Sequence, residues 1–197
     1  VTMTTQSSIR IVGLVVMEVA LVGLAGARAA VLQGGLNVSG GKSVTASNEH
    51  YGAASNVTDG ALGNGSTDEW LPDGSSGWVT VDLGNVYRLS DVNLLNSHNY
   101  NDRRTENYRI EVSTSGAFAG EQGTLATGVL AVKGSAPYQF QDVAMPVFGD
   151  PANNGVLEAR YVRFNALTYP AGTFGPGLCE MLVNGVPDQA VGALASP

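Results

Sequence analysis

Between two strand-like runs of the chain lies a polar stretch, Ser97-His98-Asn99-Tyr100-Asn101-Asp102-Arg103-Arg104-Thr105. It gathers a histidine, two asparagines, two arginines and an aromatic in one short segment. Such groups suit a sugar. Planar donors and acceptors reach neighbouring hydroxyls two at a time, and an aromatic face packs against the apolar side of the ring. The bland alternative is that Arg104 pairs with Asp102 or Glu106 and that His98 is a strand-end histidine bonded to backbone. His50-Tyr51, in Ser47-Asn48-Glu49-His50-Tyr51-Gly52, is a secondary candidate in an earlier loop.

A second cluster is rich in oxygen. In Asn56-Val57-Thr58-Asp59-Gly60 the Asp-Gly step makes a tight turn, and backbone carbonyls with the Thr67 hydroxyl or the Asp68 carboxylate approach the same point. Oxygen ligands on a loop suit calcium. The competing reading is that Asp59 caps a turn with its own backbone, as Asp-Gly steps do.

Other chemistries find little support. Asp68 with Glu69, and Asp102 with Glu106, are acidic pairs of the type that glycoside hydrolysis uses, yet no motif places either pair. No Gly-x-Ser-x-Gly elbow occurs, and the two histidines lack a companion acid in a recognisable order. The protein is therefore expected not to be an enzyme. The one cysteine, Cys179, closes no intramolecular disulfide, and with two histidines it builds no familiar zinc site. Ten Lys plus Arg stand against 17 Asp plus Glu, a net charge of -7, so no basic field is available for phosphates. Nucleic acid is excluded as the main partner on that ground, and anionic membrane is disfavoured. Asn37-Val38-Ser39, Asn56-Val57-Thr58 and Asn64-Gly65-Ser66 match the glycosylation triplet but read as turn chemistry.

The elements that must position these groups are short strands. Alternation of apolar and polar residues marks Trp78-Val79-Thr80-Val81-Asp82-Leu83, Val92-Asn93-Leu94-Leu95, Tyr108-Arg109-Ile110-Glu111-Val112 and Tyr161-Val162-Arg163-Phe164. Gly-rich steps such as Gly40-Gly41, Asp73-Gly74, Gly84-Asn85 and Ser115-Gly116 punctuate them. No amphipathic helix exceeds a turn or two. This pattern predicts an all-β fold, a jelly-roll β-sandwich of two antiparallel sheets, with Trp70, Trp78 and Tyr161 expected in its core. The apolar stretch from Ile11 to Ala27 leads into Ala27-Arg28-Ala29-Ala30 and reads as a signal peptide over residues 1–29. The domain is then expected over 30–185, with 186–197 as tail or linker, and the protein is expected to be secreted.

Four stretches in order resemble the discoidin, or coagulation factor 5/8 type C, family in the branch of the family 32 carbohydrate-binding modules. They are Ala54-Ser55-Asn56-Val57-Thr58-Asp59-Gly60 with Ser66-Thr67-Asp68-Glu69-Trp70, then Gly77-Trp78-Val79-Thr80-Val81-Asp82-Leu83-Gly84. Ser97-His98-Asn99 through Asn107-Tyr108-Arg109-Ile110-Glu111-Val112-Ser113 follows, and Ala159-Arg160-Tyr161-Val162-Arg163-Phe164 with Glu180-Met181-Leu182-Val183-Asn184-Gly185 completes the set. Together they span about residues 36 to 185. The resemblance implies a galactose-binding-like sandwich of roughly eight strands. It also implies a structural calcium held by the Asn56 carbonyl, Asp59, the segment 64–68 with either Thr67 or Asp68, and Glu180. Sugar-binding relatives use a His, an Arg and an Asn from such loops with a late aromatic, which carries over to His98, Arg103 or Arg104, Asn99 or Asn101, and Phe174. The chain departs from the commonest pattern in its long interval between Asp59 and Trp70, and from many animal members in lacking a cysteine pair.

The function expected from these readings is a secreted, non-catalytic module that binds glycan on polysaccharide or glycoprotein. The alternative is an extracellular adhesion module whose partner is a protein.

Overall fold

The computed structural model describes residues 36–63, 67–97, 103–118, 123–144 and 157–188, with backbone only for 123–125 and 144. The chain divides into two compact units, Val1–Gly34 and Gly35–Pro197, and every described residue belongs to the second. The leader expected over 1–29, residues 30–35, and the tail from residue 189 lie outside the described residues.

Eight strands are described: β1 (Leu36–Asn37), β2 (Ser43–Ala46), β3 (Gly77–Asn96), β4 (Asn107–Ser113), β5 (Gly123–Val129), β6 (Gln141–Ala144), β7 (Leu157–Ala166) and β8 (Leu178–Pro187). Their only companion among the described residues is a 3-10 helix over Ala54–Thr58. All pairings are antiparallel. The all-β expectation and the count of roughly eight strands both hold.

The 20-residue β3 makes the two layers. Its first half pairs with β2 on one side and β7 on the other, and β7 continues into β4 and β5. Its second half pairs with β6 and β8, and β8 continues into β1. After an irregularity between Asp82 and Tyr87, β8 takes the side that β2 held, while β7 stays paired as far as Leu89 before β6 replaces it. Gly84 sits in the irregularity at φ +83°, which a side chain would resist, and its N–H donates to Asp82 Oδ1 at 2.8 Å. Gly84-Asn85, expected as a turn between strands, is instead a corner within one strand.

One core lies between the layers. Val79, Val81 and Leu83 come to it from the first half of β3, and Val92 and Leu94 from the second; Ile110, Val162, Phe164, Met181 and Val183 join them. All are almost wholly removed from water, each such side chain contributing about 1.5–3 kcal/mol on burial. Trp70 closes the loop end of this core, fully buried, with its Nε1–H donating to the Asn48 carbonyl at 3.0 Å. Trp78 and Tyr161 differ from expectation. They stand on the opposite face of their strands, half-buried under arginine: the Arg163 guanidinium lies 4.2 Å from the Trp78 ring and that of Arg160 5.0 Å from Tyr161. Period two put their neighbours Val79 and Val162 inward, which forces these two rings outward.

Candidate functional site

The registers Ala46 with Val79, Gly77 with Ala166, Asn107 with Val129, Leu94 with Gln141 and Asn96 with Leu178 bring four connections to one end of the sandwich. They are the segment 47–76, the segment 97–106, the segment 130–140 and both arms of 167–177. A β-sandwich leaves such loops to carry function on a rigid frame.

On this end the first loop is zipped to the approach to β3. His50 N–H and Tyr51 N–H both donate to the Leu71 carbonyl, and the Asn48 side chain accepts from Asp73 N–H at 2.6 Å. Tyr51 is thereby presented outward, 62% exposed, its ring edge-on to His50 at 4.0 Å. Arg103 comes from the next loop. Its guanidinium stands 5.3 Å from the Tyr51 centroid, and one Nη1–H donates to the Pro72 carbonyl at 3.1 Å. The third loop arrives at the same arginine. Gly175 is buried at φ +139°, and a Cβ there would lie 3.3 Å from the Gly74 carbonyl and 3.5 Å from Arg103 Nη1. Glycine is what allows this close approach, and it leaves the preceding Phe174 63% exposed. Arg104 N–H donates to the Gly175 carbonyl at 3.1 Å, tying the two loops together.

The base of the 97–105 segment is clamped. Asn96 Nδ2 donates to the Thr105 carbonyl at 2.8 Å and its Oδ1 accepts from Thr105 N–H at 2.9 Å, so the amide mimics one rung of a strand ladder. The Thr105 hydroxyl donates to the Gly177 carbonyl at 2.8 Å, and the Ser97 hydroxyl to Glu69 Oε2 at 2.9 Å. Glu69 is itself fully buried opposite Lys133, whose Nζ is 3.3 Å from Oε1. Lys133 also donates to the Gly63 carbonyl and to the Cys179 thiol, and stands 4.7 Å from the Tyr138 ring. Burial pushes that thiol up to about 11, so it is a neutral packing group rather than a nucleophile. The ion pair joins three loops at the floor of the site.

The candidate calcium residues meet only in part. Glu180, buried in β8, accepts from Gly60 N–H at 3.2 Å, and burial, reinforced by the nearby Asp59 charge, pushes its carboxyl up to about 7. Asp59 Oδ1 accepts from Ala61 N–H at 2.7 Å, so the turn-capping reading of Asp59 is realised. The Thr67 hydroxyl donates to Asp68 Oδ1 at 3.1 Å, and no hydrogen bond joins either side chain to Glu180. The Asn56 side chain donates to the Glu69 carbonyl. The carbonyls of Ala61, Gly63 and Asp68 converge within 3.5–3.9 Å of the Cys179 sulfur. Among the described residues no three His, Cys, Asp or Glu side chains form a metal-holding group. Two carboxylates beside a carbonyl-rich loop are nonetheless a hard-oxygen donor set, which fits calcium rather than a softer ion.

Of the expected sugar residues, Arg103 and Phe174 are brought to one place, and Arg104 serves the loop through its backbone. His98, Asn99 and Asn101 lie outside the described residues. Sequence reading missed the Glu69–Lys133 pair and ranked Tyr51 second. Glu69 beside Trp70 carried a faint signal, an acid next to a core aromatic; Lys133 carried none.

Residues 42–133 match the family described as the F5/8 type C domain. No curated protein matches the chain. Among solved structures, chitosan-binding module 1 of a chitosanase/glucanase from Paenibacillus is similar at 24% identity and a TM-score of 0.56, over 76% of this chain and 99% of that one. A Clostridium perfringens family 32 module in complex with GalNAc-β-1,3-galactose matches at 19% and 0.58, over 76% and 99%. The family 32 module of C. perfringens NanJ, in complex with galactose, matches at 16% and 0.56, over 76% and 97%. The matched span covers the first three of the four motif stretches, and the β-sandwich that carries them is similar to the F5/8 type C domain and shares the fold of the family 32 modules.

Proposed function

We propose that the protein is a secreted, non-catalytic carbohydrate-binding module whose ligand lies on the loop end around Arg103. The observation that carries this reading is the approach to Arg103 of two other loops, one carrying Tyr51 and one carrying Phe174-Gly175, with both rings more than half exposed. Exposed aromatic rings offer apolar faces to a sugar ring, and a guanidinium near them supplies directional donors. Arg103 donates one N–H to the Pro72 carbonyl, which fixes the plane of its guanidinium. Of the similar modules named above, one is described as chitosan-binding and two as complexes with GalNAc-β-1,3-galactose or galactose, which supports the class of ligand.

A glycan panel probed with the full chain and with Arg103→Ala and Phe174→Ala tests this. Binding by the wild type that both variants lose supports the reading. A folded wild type that retains no glycan overturns it and favours a protein partner. Structural calcium belongs to the same proposal, with Asp59, Glu180 and the loop carbonyls as its holders. Thermal unfolding with calcium and with EDTA is the check: an equal midpoint in both, with no metal by elemental analysis, removes calcium from the account. Export is checked by the amino terminus of material recovered outside the cell, which should begin at Ala30 or Val31.

A further inference from the structure

We propose that Tyr51 is a second stacking platform beside that of Phe174, so that the site takes at least two consecutive rings of a saccharide chain rather than a single terminal sugar. The inference rests on the carbohydrate reading above and adds the length of the ligand to it.

Tyr51 is neither a core ring nor a solvated bystander. It is 62% exposed, yet it is held on three sides: its N–H is bonded to Leu71, its ring edge meets His50, and Arg103 lies over its face. The neighbouring bridge between Gly52 and Leu71 fixes the backbone on its far side. An exposed tyrosine ordinarily surrenders rotamer freedom on binding; one restrained this way has already lost part of it. Phe174 belongs to the loop that approaches the same arginine, since a Cβ on the following Gly175 would lie 3.5 Å from Arg103 Nη1. Arg103 is thus shared by two loops that each offer one exposed ring. A single pyranose covers one aromatic face. Two exposed rings on separate loops that both approach one guanidinium match two rings of a saccharide chain.

Charge narrows the ligand little, because Glu49 and Asp73 on the rim offset Arg103 and Arg104. Glu49 Oε1 is committed to Ala54 N–H at 2.6 Å, and Asp73 Oδ1 to Gly74 N–H at 3.0 Å. The chain length is therefore the feature that the geometry assigns.

The experiment is a calorimetric length series on the full chain, with galactose against GalNAc-β-1,3-galactose and glucosamine against chitotriose as probes. The expected result, in whichever series binds, is at least about tenfold tighter binding of the longer sugar. Tyr51→Ala should bring the longer sugar down to the level of the monosaccharide, and Tyr51→Phe should restore the difference. Phe174→Ala should weaken both lengths. Equal affinity for short and long probes, or a length dependence that survives Tyr51→Ala, overturns the second platform while the carbohydrate reading stands. Failure of all four sugars to bind wild type that is folded by circular dichroism overturns both. An unchanged thermal midpoint in the Tyr51 variants shows that lost binding is not lost fold.

Discussion

Replacing Lys133 by methionine tests whether the buried ion pair holds the floor of the site. Methionine keeps most of the aliphatic stem and removes only the ammonium. The lost partners are the Gly63 carbonyl, the Cys179 sulfur and Glu69, whose carboxylate has no exposure to water. Breaking one side of such a pair strands a buried charge, at about 3–5 kcal/mol. Ser97 still donates to Glu69, but one hydroxyl does not replace an ammonium. For a domain of this size, each kcal/mol moves the midpoint by about 2–4 °C, so a fall of roughly 10 °C is expected. Urea unfolding followed by tryptophan fluorescence gives the free energy directly, because Trp70 is buried in the core. The double variant Glu69→Leu/Lys133→Met removes both charges and should recover most of the loss, since the penalty lies in the unpaired charge rather than in missing attraction. A loss below about 1 kcal/mol for Lys133→Met, or strictly additive losses in the double variant, would refute the reasoning.

Two further outcomes follow from the geometry. Gly177→Ala places a Cβ 2.7 Å from the Cβ of Ser97 and 2.8 Å from Leu71 Cδ2, so differential scanning calorimetry should show a loss of about 1–3 kcal/mol, with weakened glycan binding as Ser97 is displaced. Asp82 takes a two-point grip from Arg160, Oδ1 to Nε at 2.7 Å and Oδ2 to Nη2 at 2.8 Å, and this holds its carboxyl below the ordinary aspartate range. A depressed folded value means the contribution is present at neutral pH and is lost as pH falls below about 4 through the folded value. Asp82→Asn should therefore flatten part of the acid limb of a pH-stability curve; a wild-type and variant difference constant from pH 7 to pH 2 contradicts the assignment.

The strands were legible because burial on one face writes itself as alternation. Val79, Val81 and Leu83 read inward from sequence and are inward in the structure. The same rule misled at Trp78 and Tyr161, where size suggested the core while parity demanded the outer face; cation-π contact with Arg163 and Arg160 is what makes that position tolerable. The corner in β3 was half legible. Gly84-Asn85 announces a change of direction, but local sequence does not say whether the chain reverses or bends and continues into the other layer.

The site was legible as a list and not as an arrangement, and the reason is sequence separation. Tyr51, Arg103 and Gly175 come from loops whose ends are fixed by strand registers, and no local pattern records which loops those registers bring together. The clamp beneath them shows why the arrangement is nevertheless strict. Asn96 with Thr105, Thr105 with Gly177, and Ser97 with Glu69 and Lys133 satisfy buried polar groups that would each cost about 1–3 kcal/mol if left alone. A slip of the loop base by one residue breaks several of these bonds at once. The rings above that floor are exposed and make few contacts, so substitution there should alter recognition at little cost in stability. The division is physical: buried polar bonds fix where the loops start, and the exposed rings decide what they meet.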